Sequence, residues 1–219
     1  MTRNEFARLL DHSVLKPEAT RDDIAAGAAV VRAWRIGFYC VQPCWVAPAA
    51  SALADTGARV ISVVGFPHGC DRPETKARAT ECALADGAHE IDTVINFGAL
   101  RSGDVAAVAA DLAAVVRAAQ GAHVKVIIES AALADEEKRL ACRLAVDAGA
   151  AFVKTSTGFH PAGGATVLDV RLMRSLVGGG IGVKASGGIR TLADTQAMLA
   201  AGASRIGTSA SAAILAALG

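Results

Sequence analysis

Lys154 and Lys184 each stand late in a short apolar run, followed at once by small hydroxyl and glycine residues. The runs are Phe152-Val153-Lys154-Thr155-Ser156-Thr157-Gly158 and Gly182-Val183-Lys184-Ala185-Ser186-Gly187-Gly188. The chain has sixteen Arg and only six Lys, so a Lys in an apolar run calls for a reason. Lys, unlike Arg, can lose its proton when desolvated. On neighbouring strands the two amines come close, and like charge in a poorly solvated site depresses one ammonium pKa. A neutral amine near pH 7 is what attack on a carbonyl requires. A third run, Glu90-Ile91-Asp92-Thr93-Val94-Ile95-Asn96, puts Glu90, Asp92, Val94 and Asn96 on one face of a strand; a carboxylate there could move protons. Schiff-base chemistry on an aldehyde or ketone is one reading. A Lys–Asp–Lys structural network is the other, since ion-pair networks also perturb pKa values. Spacing alone leaves both open.

A second constellation points to phosphate. Ser186-Gly187-Gly188-Ile189-Arg190-Thr191 and Ile206-Gly207-Thr208-Ser209 each lead from a strand toward a helix. Backbone N–H groups at helix N-termini bind anions, and Gly permits close approach. A lone Gly-Gly makes only a tight turn; the pair of runs favours phosphate binding. Other candidates are weaker. His12 reads as a hydrogen-bonded structural residue, and the five histidines show no metal-ligand spacing. Cys40 and Cys44 have a spacing a metal could use, but no second ligand pair follows. Glu129 either lines the pocket or pairs with Lys125, and Lys125 reads as structural, opening its strand at the far end of the barrel. Gly65-Phe66-Pro67-His68-Gly69 reads as a rigid pocket wall.

These residues need strands to carry them. Short β-branched runs fall near Leu9–Leu15, Gly37–Val41, Arg59–Val64, Glu90–Ile95, Val124–Glu129, Ala151–Thr155, Ile181–Ala185 and Arg205–Gly207. Most are continuously apolar, as strands covered on both faces should be. Helical periods fill the intervals: Arg21–Trp34, Pro43–Asp55, Pro73–Asp86, Asp104–Ala119, Asp135–Ala148, Thr166–Leu176, Leu192–Ala201 and Ser209–Leu218, with a short leading helix at Arg3–Leu10. Gly57, Gly87, Gly121, Gly149 and Gly202 follow helix ends, where a left-handed residue is favoured. Eight β/α alternations predict an α/β fold, a single (β/α)8 TIM barrel over residues 1–219, with a doubly wound sheet as the alternative. Either fold gathers function at the C-terminal ends of the strands.

Composition narrows the function classes. The 219 residues are 53% apolar and 20% charged with a net charge of +1, which excludes a disordered chain. No basic stripe suggests nucleic acid. No apolar run reaches the ~18 residues of a membrane span. The opening MTRNEFARLLDH has no apolar signal core, and a cytoplasmic location is expected. Five scattered cysteines argue against a disulfide framework.

At these residues the sequence resembles the deoxyribose-phosphate aldolases. The likeness covers nearly the whole chain. It is carried by Leu10-Asp11-His12-Ser13-Val14-Leu15-Lys16-Pro17, Cys40-Val41-Gln42-Pro43, Val64-Gly65-Phe66-Pro67, Glu90 to Asn96, Lys125-Val126-Ile127-Ile128-Glu129, Phe152 to Phe159 and Val183 to Arg190. The resemblance implies a class I aldolase on a TIM barrel, without metal or cofactor, cleaving 2-deoxy-D-ribose 5-phosphate reversibly to D-glyceraldehyde 3-phosphate and acetaldehyde. It implies Lys154 as the Schiff-base lysine, Lys184 as the lysine that lowers its pKa and Asp92 in a proton relay. It also implies Asp11, Cys40, Thr155 and Gly158 in the pocket, phosphate on Gly187, Gly188, Gly207 and Ser209, and a homodimer. Three departures stand out: Ser13 where Thr is commoner, Phe159 where some members carry a phosphate-holding Lys, and Tyr39 as the only Tyr where some members use a C-terminal one. A ketose-phosphate aldolase and a non-catalytic phosphate-binding barrel are the competing readings.

Overall fold

The computed structural model describes residues 1–218; Gly219, the last residue of the expected domain, lies outside the described residues. The elements run α1 (Arg3–Ala7), β1 (Leu10–Val14), α2 (Arg21–Trp34), β2 (Phe38–Val41), α3 (Val46–Leu53), β3 (Arg59–Val64), α4 (Pro73–Ala85), β4 (Glu90–Val94), α5 (Phe97–Arg101), α6 (Val105–Ala118), β5 (His123–Ile127), α7 (Asp135–Asp147), β6 (Phe152–Lys154), α8 (Val167–Val177), β7 (Gly182–Ser186), α9 (Leu192–Ala200), β8 (Arg205–Thr208) and α10 (Ser211–Ala216). The strands pair in parallel in sequence order, and β8 returns to β1, closing the barrel. The (β/α)8 barrel expected from the alternation is what forms; the doubly wound sheet is not.

Local chemistry sets the element ends. Thr20, Thr166 and Thr191 cap α2, α8 and α9 by accepting N–H bonds from the third helical residue, a contribution of about 1 kcal/mol each. Gly87, Gly149 and Gly202 follow the caps of α4, α7 and α9 with φ of 102°, 87° and 109°, which glycine adopts without a Cβ clash. Pro48 lacks an N–H and fits only a first helical turn. The helix expected from Pro43 therefore starts at Val46, after a 3-10 turn over Pro43–Trp45. The five-residue α5, capped by Asn96, has too short a period to be seen in the sequence. β5 stops short of Glu129, which turns to φ 55°.

Two cores result. The large one lies between the barrel and its helices, filled by residues such as Leu10, Val31, Ile91, Val126, Val153 and Ile206. The small one lies inside the barrel toward β1 to β3: Leu15, Cys40, Ile61 and Val63. The other side of the interior, facing β4 to β8, is ionic.

Candidate active site

The ionic half is built by strand alternation. Glu90 and Asp92 of β4, Lys125 of β5, Lys154 of β6, Lys184 of β7, Arg205 of β8 and Asp11 of β1 all point inward, and all are 6% exposed or less. Register brings them level: Asp92 faces Lys125, Lys154 faces Lys184, and Lys184 faces Arg205.

Their side chains close a ring. Lys125 Nζ donates to Asp92 Oδ1 at 3.0 Å and lies 2.5 Å from Glu90 Oε2. Arg205 donates to Glu90 Oε2 at 3.2 Å and through Nε to Asp11 Oδ1 at 2.8 Å. Asp11 Oδ2 pairs with Lys184, whose Nζ donates to Asp92 Oδ2 at 2.6 Å. Three carboxylates and three cations alternate, and their formal charges cancel. Lys154 stands outside the count, its Nζ donating to the same Asp92 Oδ2 at 2.8 Å. A proton on Lys154 is therefore one positive charge in excess in a buried, balanced site.

The pKa directions follow. Burial, the largest influence, pushes the Lys154 ammonium down; Asp92 pulls it back up, the Lys184 charge pushes it down again, and it ends below the ordinary lysine value. Burial also opposes the Lys184 charge, but Asp11 and Asp92 outweigh it and hold Lys184 protonated well above the usual range. Burial disfavours the Asp92 anion, yet Lys125, Lys154 and Lys184 keep its pKa well below normal. The two lysines thus divide: Lys154 gives up its proton more readily than an ordinary lysine, and Lys184 holds its own more firmly.

Loops at the strand ends make the mouth. A cavity of about 740 Å³ is lined by Lys154, Gly158, Gly187, Gly188, Gly207 and Ser209 among others, so six of the eleven expected site residues share it. Gly187 and Gly188 have φ of 86° and 81°, and the space where a Gly188 Cβ would sit is open. Gly207 has a further duty: a Cβ there would lie 2.9 Å from Ser186 Cβ and 3.1 Å from Lys184 Cε. The Lys184 side chain thus occupies room that only Gly leaves.

The other expected residues stand behind the wall. Asp92 and Lys184 form the ionic floor beneath Lys154. Asp11 is fully buried against Lys184 and Arg205 and is a member of the ring, not of the cavity surface. Cys40 is sealed in the small apolar core; burial first, then Asp92, pushes its thiol up to about 11. Thr155 is a latch: its Oγ1 donates to Ser186 O and accepts from Ser186 N, both at 3.0 Å.

Four residues carry more than the sequence suggested. Lys125 is structural and lies toward the start of its strand, level with Phe152, but it is fully buried between Glu90 and Asp92 and so joins the ring. The signal available was a Lys directly ahead of the apolar Val126-Ile127-Ile128, in a chain with only six Lys. Glu129 pairs not with Lys125 but with Thr157, accepting from its Oγ1 at 2.6 Å and its N–H at 3.2 Å. Arg205 joins Asp11 to Glu90 although it opens its strand, where an Arg reads as exposed. Arg190 lines the cavity as a cation near the glycine loops. Phe159, also in the lining, meets Phe66 edge to face at 5.3 Å, bridging the loops after β6 and β3. His12 is structural: Nδ1 is 3.2 Å from Ser211 Oγ, and burial lowers its pKa to about 4. Among the described residues no group of three His, Cys, Asp or Glu side chains could hold a metal ion.

A closed parallel barrel with one lysine facing a cavity above a balanced ionic floor is the arrangement of a carbonyl-attacking barrel enzyme. The chain matches the DeoC/LacD family aldolase model over residues 6–217 and belongs to that family. It is 53% identical over 212 residues to deoxyribose-phosphate aldolase 1 of Bacillus licheniformis, covering 96% of this chain and 95% of that one. Among solved structures, a putative deoxyribose-phosphate aldolase from Coccidioides immitis superposes with a TM-score of 0.96 at 35% identity, covering 100% of this chain and 87% of that one. The tetrameric deoxyribose phosphate aldolase from Aeropyrum pernix gives 0.92 at 31%, covering 99% and 92%. No helix among the described residues is long and apolar enough to cross a membrane.

Proposed function

We propose that this chain is a deoxyribose-phosphate aldolase of the Schiff-base class, cleaving 2-deoxy-D-ribose 5-phosphate reversibly to D-glyceraldehyde 3-phosphate and acetaldehyde. The observation that carries the reading is the shared oxygen: Lys154 and Lys184 both donate to Asp92 Oδ2, and only Lys154 reaches the cavity.

Neutral Lys154 attacks C1 of the open-chain aldehyde. Loss of water leaves a protonated imine, whose charge Asp92 is placed to balance. The C3 hydroxyl gives up its proton, the C2–C3 electrons flow into the imine, and glyceraldehyde 3-phosphate departs. The enamine left on Lys154 takes a proton at C2, and water releases acetaldehyde. Asp92 and Lys184 serve the proton transfers, a help of ~10²–10⁴-fold. Gly158, Gly187, Gly188, Gly207 and Ser209 hold the phosphate, with Arg190 beside them. Phe159 offers no charge, so backbone N–H groups carry more of that binding. Asp11 and Cys40 act from behind, by fixing Lys184 and by filling the apolar half; Thr155 ties the two lysine loops together.

In this reading residues 1–219 work as one domain, in the cytoplasm and as a homodimer; light scattering distinguishes that dimer from a tetramer like the Aeropyrum pernix relative. The test of the function is reductive trapping. Acetaldehyde with borohydride should leave one ethyl group, on Lys154, found by mass spectrometry of the digest. An unmodified Lys154 in folded protein would overturn the reading and favour a non-catalytic phosphate-binding barrel.

A further inference from the structure

On the face opposite the active-site loops, a second cavity of about 600 Å³ opens where α2 ends and β2 and β3 begin. It shares no lining residue with the first. Four arginines surround it: Arg8, Arg32, Arg35 and Arg59. Asp55 pairs with Arg32, and Arg59 is 3.9 Å from Glu90. Arg8 and Arg35 take part in none of the ion pairs among the described residues.

The backbone holds this arrangement. Arg35 ends α2 at φ 52°, a left-handed position that α4, α7 and α9 give to Gly. Gly37 fits against Arg8 so closely that a Cβ would lie 3.0 Å from the Arg8 carbonyl oxygen. The floor between the arginines is apolar, made by Val31, Ile36 and Phe38. At Gly57, in the wall, nothing stands within 4 Å of a Cβ position, so the opening is clear. A cleft lined by one sign of charge focuses its field and concentrates counter-ions. Guanidinium forks match phosphate oxygens two at a time, and the volume is that of a small-molecule site.

We propose that this cavity binds a small phosphate ester, its phosphate on Arg8, Arg35 and Arg59 and its apolar part on the half-buried Phe38. The test is calorimetric titration of the full chain, at low salt, with adenosine 5′-diphosphate and with inorganic pyrophosphate. Adenosine 5′-diphosphate should bind once per chain and more tightly than pyrophosphate, which lacks the apolar part. The double variant Arg8→Ala/Arg35→Ala should weaken it by roughly tenfold or more. Arg190→Ala, in the other cavity, should leave it unchanged. Both replaced arginines are exposed, and an unchanged thermal melt establishes that the double variant is folded. No binding up to about 1 mM, binding that survives the double variant, or binding lost in Arg190→Ala would each overturn the proposal.

Discussion

Lys154 and Lys184 stand directly opposite each other in the β6–β7 register, and their ammonium nitrogens meet at one oxygen, Asp92 Oδ2. Yet their pKa values move apart, because Lys184 has a second carboxylate, Asp11, and Lys154 has none. Fixing one proton makes the other expendable.

Lys184→Met removes a positive charge that lowers the Lys154 pKa. The Lys154 pKa then rises toward its ordinary value, so the neutral amine appears only at higher pH. The acid limb of the pH–kcat/KM profile should move upward, and activity near pH 7 should fall by ~10²–10⁴-fold. An unmoved limb would assign Lys184 a role other than setting that pKa.

Lys154→Met should abolish imine trapping and stabilise the fold. The native pKa of Lys154 lies below its unfolded value. At neutral pH the unfolded chain therefore holds more of this proton, and native stability rises as pH climbs toward the unfolded pKa near 10.4. Removing a buried group whose protonation the balanced ring disfavours should gain about 1–2 kcal/mol at pH 7, or roughly 2–8 °C in Tm. The gain over wild type should shrink as pH rises. Calorimetry at pH 7 and pH 9.5 checks both the sign and the trend.

Gly207→Ala tests whether that glycine serves Lys184 as well as phosphate. A Cβ 3.1 Å from Lys184 Cε and 2.9 Å from Ser186 Cβ must displace one of them. A misplacement of about 1 Å in a positioned group costs up to about 10²-fold, and a smaller shift correspondingly less. The expected result is a lower kcat with acetaldehyde alone as donor, where no phosphate is bound. A change confined to KM for the phosphorylated substrate would leave phosphate as the only role.

Glu129→Gln breaks the charge-assisted bond from Thr157 Oγ1 and weakens that from its N–H, a loss of about 1.5–3 kcal/mol. The loop holding Gly158 and Phe159 should loosen, raising KM for the sugar phosphate several-fold. Lys154 sits on the strand below, so the rate of borohydride trapping with acetaldehyde should be nearly unchanged. Comparing that KM with the trapping rate separates loop positioning from damage to the floor.

The alternation of apolar runs with helical periods showed the barrel because each strand is covered on both faces and each helix is capped or stopped by a Thr or Gly within reach of it. Lys154, Lys184 and Asp92 were legible for a similar reason: an ionisable group in an apolar strand has few explanations. Arg205 and the full role of Lys125 were not. An Arg at a strand start reads as solvated, and only barrel closure, β8 onto β1, brings Arg205 to Asp11. Asp11 and Cys40 were placed on the right strands but not behind the cavity wall, since depth depends on stagger between strands. The α5 turn is too short to show a period, and the left-handed Glu129 is held by a residue distant in sequence, Thr157.

The ionic ring lies wholly on strands, whereas most of the cavity rim lies on the loops beyond them. This separates two kinds of inheritance. Strand residues belong to one closed ring of six and change only together; Phe159, Ser209 and Arg190 answer to a few neighbours each. A lineage can therefore trade one acceptor for another at the rim, generation by generation, while the reaction below is passed on unaltered.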